Sequence, residues 1–326
     1  MESIPRKRRR WKKKVSERTH RYREYAELAP EVFGINASNL SMRFKYATAA
    51  KLKQLQERRL DKYDFVAMFV DGKRFADDSL MIALGITLQG DKVILGIEQM
   101  STDNGRAMEQ FFQKLIERGL CYGEGLLFII DGSKGIIKAV EKTFPSSGII
   151  QRCHYHKIEN VVSYLPKGIQ GIWRAKLRAV YKEARYETVK RALSKLEAEL
   201  HNLNPSAAGS LREGLEETLT LHRLELYTEL GKSFTSTNCI ESVMSQLGQY
   251  TDKVDRWRGG GHIQRWAAAG LLEIEPRLKK VRGFRYLKLL RAKLQEGIMR
   301  RREKQLLECP TNKDLVAEIH TTTPEN

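Results

Sequence analysis

Asp64-Phe65-Val66-Ala67-Met68-Phe69-Val70-Asp71-Gly72 holds six apolar residues in a row, rich in aromatic and branched side chains and closed by Asp-Gly. A run of that length and composition reads as a strand buried on both faces. The pattern returns as Leu126-Leu127-Phe128-Ile129-Ile130-Asp131-Gly132, with the second aspartate 131 − 71 = 60 residues further on. Aspartate at the end of such a strand does little for stability, since Asp is poor in strands and costly to desolvate. Either one alone reads as a turn residue, because Asp-Gly is itself a turn dipeptide. Two of them closing neighbouring strands would bring two carboxylates to one end of a sheet.

Working outward, Ser79–Leu88 and Lys92–Glu98 are two further strands joined by the turn Gln89-Gly90-Asp91. Residues 103–119 make an amphipathic helix with Met108, Phe111, Phe112, Leu115 and Ile116 inward. A helix is expected over about 134–144, and Gly148–Gln151 begins a fifth strand. Three antiparallel strands, helix, strand, helix, strand is the order of a ribonuclease H-like fold: an α/β mixed five-stranded sheet flanked by helices. Residues 157–231 are almost wholly helical in pattern and read as an all-helical insertion beside the sheet. Ahead of the sheet, Pro30-Glu31 opens a short helix, Gly34-Ile35-Asn36 is a turn, and Ser38 can cap a second, basic helix. The expected division is a basic arm with a helix-turn-helix-like region over 1–60, the first part of the core over 61–160, the helical insertion over 161–232, the last part of the core over 233–275, and a basic helical tail over 276–326.

The chain of 326 residues is 41% hydrophobic, enough for a real core, which excludes wholesale disorder. It has no uninterrupted apolar run of ~18 residues and no apolar stretch behind Met1-Glu2-Ser3-Ile4, so neither a spanning helix nor export is expected. Four cysteines, at 121, 153, 239 and 309, are too few for a disulfide scaffold and suit a reducing cytoplasm. The net charge of +18 is concentrated. Residues 1–27 carry 11 Lys/Arg against 4 Asp/Glu, and 276–304 carry 12 against 2, so two segments supply +17 of the +18. Such patches suit a polyanion gripped through its phosphates, and neither carries the apolar stripe of a membrane-surface helix.

Two cations held about 3.5–4 Å apart for phosphoryl transfer call for a third acid. Ser236-Thr237-Asn238-Cys239-Ile240-Glu241-Ser242 supplies a candidate, with a helix-capping cluster ahead of Glu241. By spacing alone, Glu241 could equally serve the helix dipole.

Four segments in order, Phe69-Val70-Asp71-Gly72-Lys73, Ile129-Ile130-Asp131-Gly132, Gln151-Arg152-Cys153-His154-Tyr155-His156-Lys157 and Ser236–Ser242, resemble the successive motifs of Mutator-type bacterial insertion-sequence transposases, over about 35–285. The resemblance implies a DDE transposase with Asp71, Asp131 and Glu241 as catalytic, metal-holding acids, using Mg2+ with Mn2+ as a substitute. It also implies double-stranded DNA partners (terminal inverted repeats and target DNA), a homodimer on DNA and a cytoplasmic, nucleoid-associated location. Cys153 and His156 match its Cys-x-x-His signature. They are read as a buried hydrogen-bonded pair shaping the catalytic end, since two ligands make only half a zinc site. His154 is expected to be exposed. Arg256, Trp257 and Arg265, near the family's Arg and Trp positions, join Arg43 and Lys73 as candidate DNA contacts, with Trp257 open between base stacking and core packing and Trp266 read as core. About 60 residues precede the first strand, fewer than the family usually carries, which suggests a minimal binding arm or a shortened frame. The rival readings are a ribonuclease H-like nuclease or resolvase that does not join strands, and a non-catalytic DNA-binding descendant.

Overall fold

The structure, a computed structural model, describes residues 37–75, 78–100, 105–252, 254, 257 and 261–308. Strands β1 (Phe65–Phe75), β2 (Asp78–Thr87), β3 (Lys92–Met100), β4 (Leu126–Ile130) and β5 (Gly148–Arg152) form one sheet in the order β3-β2-β1-β4-β5. The first three pair antiparallel, whereas β4 runs parallel to β1 and β5 parallel to β4. This is the ribonuclease H-like arrangement expected from the element order.

Alternation along β1 divides the core. Phe65, Met68 and Val70, with Phe128 and Ile130 of β4, face helices α2 (Gly105–Glu117) and α3 (Lys134–Thr143). There Phe112, Phe128, Phe144 and Tyr122 make a chain of ring contacts at 4.9–5.8 Å. Val66, Ala67 and Phe69, with Leu127 and Ile129, face the opposite side, where Phe69 stacks on Phe234 at 5.7 Å. That side is covered by α10 (Tyr227–Phe234), α11 (Asn238–Thr251) and α12 (His262–Ile274). Every residue from Phe65 to Val70 is fully buried. At roughly 1.5–3 kcal/mol for each large apolar side chain, this strand is a main source of stability.

Helices α4 (His154–Ser163), α5 (Lys167–Tyr181), α6 (Tyr186–Leu203) and α7 (Pro205–Arg212) share a separate apolar cluster built on Trp173, Leu177, Leu193 and Leu200. Asn204 ends α6 and caps α7 by accepting from the Ser206 and Ala207 amides, with Pro205 in the first turn. The short helices α8 (Leu215–Thr218) and α9 (Thr220–Arg223) lead the chain back beside β5.

Several expectations need correction. β1 does not stop at Asp71-Gly72: it runs to Phe75, because Asp71 pairs with Ile82 and Gly72 with Met81 in a continuing hairpin ladder. β5 extends one residue further, to Arg152. The described part of the basic helical segment expected over 276–326 docks on the core. Helix α13 (Leu287–Glu308) buries Leu287, Leu290 and Leu294 in the core, and buried Arg291 donates to the carbonyls of Gly125 and Phe65 and to Asp64. The basic helix of the amino-terminal region is α1 (Ala37–Glu57), which lies against α12 with Leu55 inward and Arg43, Lys45 and Lys53 exposed. The short helix expected ahead of it lies outside the described residues, as do the arm and Cys309. No described helix is long and apolar enough to cross a membrane.

Candidate active site

The parallel pairing of β1 with β4 places Met68 across from Phe128 and Phe69 across from Ile129. Carried on two residues, the same register sets Asp71 beside Asp131 at the rim where β4 ends and β1 continues only in its hairpin. Asp71 is therefore not a turn residue, because both its neighbours are in a strand. Asp131 is the turn residue at the other position: its Oδ1 accepts from the Ser133 amide at 2.8 Å ahead of α3. Gly132 between them is left-handed, with φ of 100°, a conformation glycine adopts without strain.

Glu241 comes from the first turn of α11. The sequence suggests that the Ser/Thr/Asn cluster caps this helix, yet Thr237 at the cap position makes no side-chain bond to a backbone amide. It is fully buried, and its hydroxyl donates to Glu241 Oε1 at 2.6 Å. The same hydroxyl lies 3.5 Å from Cys153 Sγ, to which it can also donate, and 3.4 Å from His156 Nδ1. Cys153, His156, Thr237 and Glu241 thus form one polar chain leading to the third acid.

The electrostatics tie the three acids together. Burial, opposed by the Gly72 amide and reinforced by the charges of Asp131 and Glu241, pushes Asp71 up to about 6. His156 is raised to about 9 by its bond to Cys153, against burial, with Asp131 and Asp71 adding to the rise. Burial would push the Cys153 thiol up, but hydrogen bonds with His156 and Thr237 outweigh it and leave it below its ordinary range. Both shifts point to contact between the thiol and the imidazole beside the acids.

Each acid has one oxygen held locally: Asp71 by the Gly72 amide, Asp131 by the Ser133 amide and Glu241 by Thr237. Among the described residues no group of three His, Cys, Asp or Glu side chains stands close enough to hold a metal ion as placed. The donor chemistry nevertheless suits a hard divalent cation, since mutual repulsion among these carboxylates is what a bound cation would relieve. Beside Asp131 opens a depression of about 420 Å3, lined by Gly132, Ser133, Lys134, Gly135, His156 and Asn160.

The rest of the Gln151–Lys157 motif ties the sheet to the helical block. Gln151 donates to the Thr218 carbonyl and accepts from the Leu221 amide. Buried Arg152 bonds Glu213 and Glu217, and buried Lys157 reaches the carbonyls of Ser210 and Glu213. His154, expected at the surface, is buried: it stacks on Tyr181 at 4.2 Å and its Nε2 lies 2.7 Å from the Thr218 carbonyl. It follows β5 as the first residue of α4, where strand alternation no longer applies. Thr237, Lys134 and Asn160 were missed by motif reasoning. Only Thr237 had a usable signal, its position four residues before Glu241 on a helix.

The candidate DNA contacts divide. Lys73 turns toward α11, donating to the Met244 carbonyl at 3.4 Å beside Asp252 at 3.5 Å. Trp257 is half-buried against the core, edge-on to Phe75 at 5.2 Å and to Trp266 at 6.4 Å. Trp266 also packs on Phe44 of α1 at 4.9 Å. Arg43 is exposed on α1 and Arg265 half-buried on α12, while Arg256 lies outside the described residues.

The sheet order, with Asp71 and Asp131 at one rim and Glu241 near them, makes this a ribonuclease H-like α/β protein. Residues 21–267 match the family described as Transposase, Mutator family, and the chain belongs to it. It is similar to the transposase for insertion sequence element IS905 of Lactococcus lactis, 25% identical over 239 residues, 71% of this chain and 59% of the relative. It is also similar to the transposase for IS256 in transposon Tn4001 of Staphylococcus aureus, 30% identical over 53% of this chain and 44% of the relative. A third is the transposase for IS6120 of Mycolicibacterium smegmatis, 26% identical over 66% of each chain. The chain spans about half the length of the first two of these relatives.

Proposed function

We propose that this chain cuts double-stranded DNA at the ends of a mobile element and joins the freed 3′-hydroxyl to target DNA. The observation that carries the reading is the register of β1 and β4, which sets Asp71 beside Asp131 with Glu241 close enough to perturb the same carboxyl. Asp71, Asp131 and Glu241 would hold Mg2+, or Mn2+ in its place. Such ions, when bound, supply an activated water and stabilise the departing oxygen.

The protein's own part is positioning. Thr237 fixes the rotamer of Glu241, and the Ser133 amide fixes Asp131. His156, charged below about pH 9, offsets the acids at the rim and faces the depression with Lys134, where a phosphate could lie. Arg43, Arg265, Arg256, Trp257 and the basic ends of the chain are proposed to grip the strands. A homodimer is proposed, because two element ends must be processed together.

The test is incubation of the purified chain with Mg2+ or Mn2+ and duplexes ending in the inverted repeats that flank its gene. End cleavage followed by recombinant product is expected, and both should vanish in Asp71→Ala while duplex binding persists. Cleavage without joining would instead establish the nuclease reading. Binding without either would establish the non-catalytic one.

A further inference from the structure

At the opposite end of β5 from the acids, a second depression of about 410 Å3 lies between the α9 turn and α13. Its cations are Arg223, Lys293, Arg300 and Arg301, and its acids are Glu225 and Glu296. Both acids are engaged by Lys293, at 3.5 and 4.0 Å, and both are mostly exposed at the margin. Arg301 donates to the Gly148 carbonyl at 3.2 Å, and Arg223 meets an acid only at 3.9 Å, in Glu216. Three guanidinium groups are gathered in one recess, where burial and then the charge of Arg223 lower the pKa of Arg301.

Two further features shape this recess. Glu225, at its wall, is the only non-glycine residue with positive φ (59°) among the described residues. A strained backbone of that kind persists where its surroundings over-determine it. On the other wall Gly297 lies in the interior of α13, where glycine costs helix stability. A side chain there would meet only Ile149, at 3.9 Å, so the glycine leaves the floor open.

We infer that this recess is a second DNA-binding site that takes backbone phosphates of a duplex at the end of the sheet remote from Asp71 and Asp131. The inference rests on the reading of DNA as the substrate, and adds a place where flanking or target duplex is held away from the reacting phosphate. Guanidinium groups suit it, since their planar forks bind phosphate oxygens in pairs. The 12-to-2 excess of basic residues over 276–304 thereby acquires a defined location for part of its charge.

The test compares the full chain with the double variant Arg223→Glu/Arg300→Glu, with Arg301 left in place because it bonds Gly148. Anisotropy of a labelled duplex is followed against salt. Loss of two phosphate contacts should weaken binding about tenfold or more and flatten the log–log salt slope by about 1.8. Arg223→Lys/Arg300→Lys should keep most of the slope, and thermal melting checks that both variants fold. Unchanged affinity and slope in the reversed variant would overturn the site, whatever the cleavage assay gives. Pyrophosphate that binds the wild-type chain but not the reversed variant, while duplex affinity stays unchanged, would also overturn it, reducing the recess to a small-anion site. A wild-type chain that binds duplex through the recess but never cuts would sink the proposed chemistry and leave this site standing.

Discussion

Thr237 donates its hydroxyl hydrogen to Glu241 across one turn of α11, at 2.6 Å, from a position with no exposed surface. A short bond to a carboxylate is stronger than a neutral one and holds the acid in a single rotamer. The same hydroxyl lies within 3.5 Å of Cys153 Sγ and His156 Nδ1. The third acid is thereby fixed to the strand that precedes α4, not only to its own helix.

Thr237→Val keeps the shape and removes the hydroxyl. Cleavage should fall about 10–100-fold, the usual cost of losing a group that orients a metal-holding side chain, while stability changes by about 1–2 kcal/mol. Thr237→Ser should recover most of the activity. Single-turnover cleavage rates measured beside thermal melts decide it, and equal rates in Val and Thr forms would contradict the role.

Asp71 should make the fold less stable where it ionises. Its folded pKa of about 6 lies above the ordinary 3.8, so the folded state holds the proton more tightly. Stability is then lost as pH rises from about 4 through 6, by no more than about 3 kcal/mol. In metal-free protein, Asp71→Asn should be more stable than wild type at pH 7 and equal to it below pH 4. Urea titrations at the two pH values check this.

The same carboxyl predicts an acid limb in activity. If Asp71 holds the proposed cation, protons compete with it there, so the Mg2+ concentration giving half-maximal cleavage should rise as pH falls through about 6. Saturating metal should move that limb to lower pH. A limb indifferent to metal concentration would assign it to another group.

His156 works in the opposite sense. Its folded value of about 9 lies above 6.5, so the stability it contributes is complete below pH 6.5 and disappears as pH rises through about 9. His156→Gln should flatten that decline in denaturation curves recorded between pH 6.5 and 9.5.

Arg152 is almost fully buried and bonds both Glu213 and Glu217. Arg152→Met removes its charge from that cluster and should cost about 3 kcal/mol. Hydrogen exchange should show the loosening first in residues 213–221, where Gln151 and His154 also attach.

The strands were legible because apolar runs such as Phe65–Val70 and Leu126–Ile130 have one structural outcome, and their order fixed which would be neighbours. The parallel pairing that brings Asp71 to Asp131 followed from that order. What stayed hidden depended on contacts distant along the chain. Nothing local in Asp71-Gly72 distinguishes a turn from a strand that continues, since the decision rests with Met81 and Ile82 across the hairpin. His154 was misplaced because strand alternation was carried one residue into a helix. The seating of Arg291 on Asp64 was equally unreadable, as a basic run looks the same whether solvated or docked.

That seating has a consequence for biosynthesis. Arg291 and Asp64 are 227 positions apart, yet the arginine secures the entry of the very strands that carry both aspartates. During translation the sheet's first strand must wait for α13 before its foot is closed, so that corner of the core is completed only after Arg291 has left the ribosome. A nascent fragment released before that helix would leave Asp64 and two backbone carbonyls without their guanidinium, so prematurely terminated products should be degraded rather than accumulate.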